Sequence, residues 1–270
     1  MNAPSALKTA AWRRALVTGA SAGIGEAFAR RLAAQGADLV LVARDEARLQ
    51  ALADDLKAAH RIQVQVLAAD LLDSQGAATV AERLAAEPEI DLLVNNAGMG
   101  SKGAFTELPL AAELRQVELN VGALVHLTHA ALGAMTRRHR GTVINVSSIS
   151  GLQPVPTMAT YGGTKAFVTS FSEALREEVR GSGVDICVVL PGYVKTEFLD
   201  RTGNPEGFGP VPDFAWLAPD RVAADALDDA RRRRMYSVAG FGYRVVAGLM
   251  GIAPRHALRR YAGLAARHHK

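Results

Sequence analysis

Cysteine is all but absent from this chain. Its one copy, Cys187, lies inside the apolar run at 184–190, so no intramolecular disulfide can form and a core role is expected for it. A long apolar run at the start is also missing. Residues 1–12 carry one lysine and nothing resembling a secretory signal or membrane anchor, so the expected localisation is cytoplasmic. Acidic residues are missing altogether from 231–270, a stretch that holds ten Lys or Arg. The formal net charge of +4 conceals this, because 21 basic residues face 27 acidic ones before Arg231, a net of −6. The body is mildly acidic and the tail strongly basic. No internal repeat or low-complexity linker is present, and no metal site is expected. A length of 270 residues suits one α/β domain with a modest appendage rather than two domains.

What the chain does hold is an alternation of short apolar runs with helical stretches. Runs at 13–18, 38–43, 62–68, 90–95, 143–146 and 184–190 read as buried strands, with a short one near 236–239. Helical stretches at 45–60, 73–87, 109–139, 160–182 and 219–233 separate them, the pattern of a parallel, doubly wound sheet. Asn120 falls midway along the 109–139 stretch, where an asparagine has no evident structural reason. Residues 197–216 contain Pro205, Pro210 and Pro212 interleaved with Phe198, Leu199, Phe208, Phe214 and Trp216. They read either as a mobile lid over an apolar substrate or as a packed connection.

The first strand runs into Gly19-Ala20-Ser21-Ala22-Gly23-Ile24-Gly25, which opens a helix. Strand, glycine-rich turn and helix N-terminus make a phosphate-binding arrangement: Gly19 takes the tight turn, Gly23 lets the backbone approach a pyrophosphate, and Gly25 permits close helix-to-strand packing. The second strand ends at Ala43, where a dinucleotide-binding unit ordinarily places an acid for the adenosine ribose, and Arg44 comes next. A guanidinium there suits a 2′-phosphate, so NADP is favoured over NAD. Asp70-Leu71 and Asn95-Asn96-Ala97-Gly98 follow the third and fourth strands, at the sheet edge where ligands bind.

Tyr161 and Lys165 are spaced i, i+4, so on a helix they share one face. Bringing a phenol from a pKa of about 10 to near neutrality takes roughly 4 kcal/mol. An ammonium about 4 Å away at an effective dielectric of about 20 supplies a term of that order. Tyr161 is therefore expected to have a lowered pKa and to act as a general acid or base, with Ser148 at the end of the 143–146 strand beside it.

Together, Thr18-Gly19-x-x-x-Gly23-x-Gly25, Asn95-Asn96-Ala97-Gly98, Asn120, Ser148, Tyr161-x-x-x-Lys165 and Pro191-Gly192-x-x-x-Thr196 resemble the classical short-chain dehydrogenase/reductase family over residues 12–240. The resemblance implies a Rossmann-type sheet of about seven parallel strands and a tetrad of Asn120, Ser148, Tyr161 and Lys165. It implies that Ser148 holds a carbonyl oxygen, Tyr161 exchanges its proton, and Lys165 lowers the tyrosine pKa and grips the nicotinamide ribose. Asn120 is implied to fix a water leading from Lys165 to solvent. The implied cofactor contacts are Gly19, Ser21, Ala22, Gly23, Ile24, Gly25, Arg44, Asp70, Leu71, Asn96, Ala97, Gly98, Tyr161, Lys165, Pro191, Gly192, Val194 and Thr196. Substrate contacts are expected from Ser148, Gln153 and Tyr161. Two departures stand out: Gly163-Thr164 replaces the family's usual Ala-Ser, and Ala22 stands where many NADP-using relatives carry a second basic residue.

The expected organisation is a Rossmann domain over 1–240 and a basic, amphipathic helical extension over 241–270. That extension reads as a membrane-surface element or as a subunit contact in a homo-dimer or homo-tetramer. No recognised nucleic-acid-binding fold accompanies it. The expected activity is NADP(H)-dependent interconversion of an apolar ketone or aldehyde with its alcohol. The alternative is a non-catalytic NADP-binding sensor or scaffold on the same fold, which could dispense with the tetrad.

Overall fold

The computed structural model describes residues 11–202 and 211–252. The apolar runs become seven parallel strands: β1 Arg14–Thr18, β2 Asp38–Ala43, β3 Val64–Ala68, β4 Leu92–Asn95, β5 Gly141–Val146, β6 Val184–Val189 and β7 Tyr236–Ser237. Their order across the sheet is β3-β2-β1-β4-β5-β6-β7. The order reverses between β1 and β4, where the crevice of a doubly wound sheet opens.

Among the described residues, eight α-helices connect and cover the strands: α1 Gly23–Ala33, α2 Glu46–Ala59, α3 Ser74–Ala85, α4 Leu110–Val117, α5 Leu124–Arg137, α6 Ala159–Glu178, α7 Pro219–Arg231 and α8 Phe241–Ile252. Successive strand residues point to opposite faces. Ala15 and Val17 pack with Phe28, Leu32, Leu49 and Val222 on one side. Leu16 packs with Val80, Leu84, Leu127 and Met135 on the other. Both faces are dry, which is why these strands read as unbroken apolar runs.

Several boundaries are tighter than the sequence suggests. β3 starts at Val64 rather than 62, and β4 at Leu92 rather than 90, although Ile62 and Ile90 are both buried. The β4 start is set by Asp91, whose carboxylate accepts from the backbone N–H groups of Arg13 and Arg14 at 2.9 Å each. α6 stops at Glu178 rather than 182, because Gly181 and Gly183 adopt positive φ and turn the chain into β6. β6 ends at Val189 and β7 at Ser237, each short of the expected end, while α7 ends at Arg231. The 109–139 stretch is interrupted: a π-helical turn at Glu118–Ala123 joins α4 to α5 and carries Asn120. Such turns recur where a helix presents a functional side chain.

Gly163 marks a place where this sequence is less stable than its fold allows. It lies inside α6, is exposed, and an added Cβ would have nothing within 4 Å. Gly163→Ala should stabilise the protein by about 0.5–1 kcal/mol through reduced unfolded-state entropy. Chemical denaturation should show a higher midpoint with an unchanged slope and unchanged turnover.

Candidate active site

The C-terminal ends of β1, β2, β4, β5 and β6 open onto one cleft of about 1040 Å³. Of the residues expected to form the tetrad or to contact cofactor or substrate, all but Gly25 and Asn120 line it. Both exceptions act from behind its wall. A Cβ on Gly25 would stand 2.1 Å from the carbonyl oxygen of Gly19, so this glycine is what lets α1 approach the turn. Gly19 and Gly23 have φ of +64° and +60°, the left-handed region that glycine occupies without strain. No side chain caps the N-terminus of α1, which leaves its first backbone N–H groups facing the cleft. A cradle of bare backbone at a helix N-terminus fits a pyrophosphate.

The two adjacent asparagines at the end of β4 divide their work. Asn95 faces the core and donates to Thr128 and Asn145 at 3.0 Å. Asn96 turns back, donating to the carbonyl oxygens of Thr18 at 3.0 Å and Gly19 at 3.3 Å, and so holds the glycine turn. Thr18 Oγ1 in turn accepts from the N–H groups of Asn96 and Ala97.

Two serines follow β5, and both border the cleft, but the hydroxyl of the first is turned to α6. Ser147 is committed to α6, donating to the Lys165 carbonyl at 2.8 Å and pairing with Thr169 Oγ1. Ser148 lines the cleft and hydrogen-bonds the Tyr161 hydroxyl. Tyr161 and Lys165 are 9% and 6% exposed, one turn apart on α6 as their spacing requires. The Tyr161 ring packs on Phe198, with centroids 5.5 Å apart.

The electrostatics differ from the sequence expectation. Burial pushes the Tyr161 phenol up to about 12, with only the hydrogen bond to Ser148 opposing it. Burial likewise pulls Lys165 down to about 8. The expected lowering of Tyr161 by Lys165 is absent because the ammonium is directed elsewhere. Its Nζ donates to the Val146 carbonyl at 2.9 Å and stands 5.7 Å from the centre of the tyrosine ring. In this arrangement desolvation outweighs the Coulomb attraction.

Asn120 has a structural reason after all. Its amide bonds both the N–H and the carbonyl of Met99 at 2.9 Å and donates to Thr164 Oγ1 at 3.0 Å. Both of its N–H donors are thus used inside the protein, and it pins the segment that carries Gly98 beside Lys165. Thr164 keeps the hydroxyl expected of the family's serine and donates it to the Tyr161 carbonyl at 2.8 Å.

At the far end of the cleft, Arg44 is exposed and has no ion-pair partner among the described residues. Arg48, one turn later on α2, was not anticipated, although the i, i+4 spacing from Arg44 was visible. It also lines the cleft and is engaged by Asp45 at 3.5 Å and Glu197 at 3.1 Å. Met99, Gly100, Lys102, Leu72 and Tyr193 are further lining residues that the sequence did not flag. The described part of the 197–216 loop places Phe198 and Leu199 in the cleft wall, while residues 203–210, including Phe208, lie outside the described residues.

Residues 13–207 match the short chain dehydrogenase family, and the chain belongs to it. Its relatives include a sulfoacetaldehyde reductase of Chromohalobacter salexigens, 36% identical over 78% of this chain and 79% of that one. Among solved structures, a short-chain dehydrogenase from Sphingobium yanoikuyae in complex with NADPH is 35% identical, with a TM-score of 0.80 over 90% of this chain and 96% of that one. A short-chain dehydrogenase/reductase from Burkholderia phymatum in complex with NAD is 26% identical, with a TM-score of 0.78 over 89% of this chain and 93% of that one. The chain is thus an oxidoreductase of a family whose members use either nicotinamide dinucleotide.

Proposed function

We propose that the protein is an NADP(H)-dependent oxidoreductase that interconverts an apolar ketone or aldehyde with the corresponding alcohol, with Tyr161 as the general acid and base. The observation that carries this reading is the buried pair of hydroxyls, Ser148 and Tyr161, hydrogen-bonded to each other inside the cleft with Lys165 beneath the tyrosine ring. The bound cofactor would supply or accept a hydride. Ser148 and Tyr161 would together orient a carbonyl oxygen, and Tyr161 would deliver the proton that this oxygen takes up. A phenol kept protonated by burial is the form that donation requires, so the raised pKa suits reduction. Lys165 would hold positive charge beside the oxygen that the proton leaves. Asn120 would act as a positioning residue through Met99 and Thr164.

The apolar character of the substrate is supported by Phe198, Leu199, Val155 and Met158 in the wall beside Tyr161. The NADP preference is supported by Arg44, whose guanidinium lines the cleft without an ion-pair partner among the described residues. Gly19, Ser21, Ala22, Gly23 and Ile24 would hold the pyrophosphate side. Asp70 and Leu71 would lie at the adenine, with Ala97, Gly98, Pro191, Gly192, Val194 and Thr196 along the nicotinamide. The reading extends to further copies of the chain as a homo-dimer or homo-tetramer, and to a lipid surface met through the C-terminal segment.

The test is consumption of NADPH, followed by absorbance, with a panel of ketones graded in polarity. Arg44→Ala should weaken NADPH binding about ten-fold and leave NADH binding within about two-fold, because one charge-assisted contact to the 2′-phosphate is lost. Equal loss for both cofactors would remove Arg44 from that role. A protein that binds NADPH and reduces no member of the panel would be the sensor or scaffold instead.

A further inference from the structure

The sequence sets the last helix apart from the Rossmann domain, yet one of its side chains closes against the cleft. Gly240, with φ of +83°, turns the chain out of β7 and into α8, which brings Tyr243 against the loop leaving β6. A Cβ on Gly192 would stand 2.1 Å from Tyr243 Cζ, so the ring fills space that only a glycine leaves open. The Tyr243 hydroxyl accepts from the backbone N–H of Tyr193 at 3.1 Å and donates to the Ala215 carbonyl at 2.8 Å. One side chain thus joins two segments far apart in sequence. Those segments also pair with each other. The Leu217 N–H donates to the Tyr193 carbonyl at 2.8 Å, and the Lys195 N–H donates to the Leu217 carbonyl at 3.0 Å. The rings of Tyr193 and Trp216 meet with centroids 5.6 Å apart.

What Tyr243 anchors is a wall of the cleft. Gly192, Tyr193, Val194, Thr196 and Phe198 all line it. A Cβ on Gly23 would stand 3.0 Å from Thr196 Cγ2, so this stretch reaches the glycine turn at one point. Phe198 then packs on the Tyr161 ring. The rest of α8 is held more lightly: Ala247 and Met250 are half-buried, and Phe241, Val245 and Leu249 are exposed.

We propose that Tyr243 is a positioning residue for the dinucleotide: its hydroxyl fixes the root of the 192–198 segment in the conformation that receives the nicotinamide half of the cofactor, which makes α8 part of the binding site. The inference rests on the cofactor reading given above. Without the hydroxyl the segment samples other conformations, and the apparent affinity falls to the fraction of chains that stay competent to bind. A hydrogen bond of this kind ordinarily shifts such an equilibrium about five-fold, so loss of the two together brings the expected effect to about ten-fold.

The experiment is fluorescence titration of the full chain, and of its Tyr243→Phe variant, with NADPH and with NADH. The substitution keeps the ring against Gly192 and removes only the hydroxyl. Both dinucleotides should bind about ten-fold more weakly, since the nicotinamide half is common to them, in contrast to the selective loss expected of Arg44→Ala. Turnover at saturating NADPH should stay within about three-fold of the parent, because the Ser148 bond to Tyr161 and the Lys165 bond to Val146 are untouched. Met250→Ala trims the same inner face of α8 without altering the hydroxyl, and should bind NADPH within about two-fold of the parent. Circular dichroism establishes that each variant is folded. Unchanged affinity in a folded Tyr243→Phe variant overturns the proposal. An equal loss in Met250→Ala overturns it too, by assigning the effect to helix docking as a whole, and so does unfolding of Tyr243→Phe, which would make the hydroxyl a determinant of stability. A parent that binds neither dinucleotide overturns the cofactor reading and this inference with it, whereas an unaffected variant of a parent that binds leaves that reading standing.

Discussion

Tyr161→Phe should lower turnover by about a thousand-fold, within the range set by loss of a positioned general acid, while NADPH affinity changes by no more than about three-fold. The substitution removes one oxygen atom and little else. The ring keeps its packing on Phe198 and against Gly100. The hydroxyl's hydrogen-bond partner, Ser148 Oγ, still accepts from the Ser150 N–H at 3.1 Å. Exchanging a buried tyrosine for phenylalanine with one bond lost costs about 1 kcal/mol, too little to unfold the chain. The two readouts separate the possible causes: steady-state NADPH consumption reports the chemistry, and fluorescence titration with NADPH reports the cleft. Turnover near that of the parent would remove Tyr161 as the proton donor. A parallel collapse of NADPH affinity would show that the hydroxyl serves the architecture.

The sheet was legible in the sequence because both of its faces are buried. Strands of that kind need no alternation, so their apolar runs stand out against the polar helices between them. Their ends were less legible, since Ile62 and Ile90 are buried outside any ladder and continue the apolar signal past the strand. The shared face of Tyr161 and Lys165 on α6 was legible because a four-residue spacing is a local fact. What the sequence could not disclose rests on contacts between distant segments. Asn120 looked functional because Met99 and Thr164, its partners, are 21 and 44 residues away. Tyr243 was invisible as a support behind the cleft because Tyr193, whose backbone N–H its hydroxyl accepts, is 50 residues upstream. The error over Tyr161 has the same origin. Spacing brought the ammonium to the right face, but the Val146 carbonyl that draws it off belongs to β5.

That diverted ammonium carries a second large effect. Lys165→Met should reduce turnover by at least about a hundred-fold, through loss of a preorganised charge in the site, while changing the pH dependence of stability in a defined direction. Burial lowers Lys165 from 10.5 to about 8 in the folded chain. Between those values the unfolded chain binds a proton that the folded chain does not, so this group should add stability to the parent as pH rises from 8 to 10.5. Tyr161 acts in the opposite sense and later. Its folded value is raised from 10.0 to about 12, so above pH 10 the unfolded chain loses a proton that the folded chain keeps, and stability falls. The buried Cys187 thiol, raised from 9.0 to about 12, also lowers stability above pH 9, so parent stability should climb from pH 8 to 9, level off as the two effects offset, and fall above 10. The methionine variant should be flat to pH 9 and then fall. At pH 7 the variant should be at least as stable as the parent, because removing an unpaired buried cation offsets the roughly 1 kcal/mol lost with its hydrogen bond to Val146. Thermal denaturation of both proteins at pH 7 to 10 reads this directly. Parallel profiles would mean that Lys165 keeps its ordinary affinity for a proton in the folded chain, and the site would then hold its charge at no cost to stability.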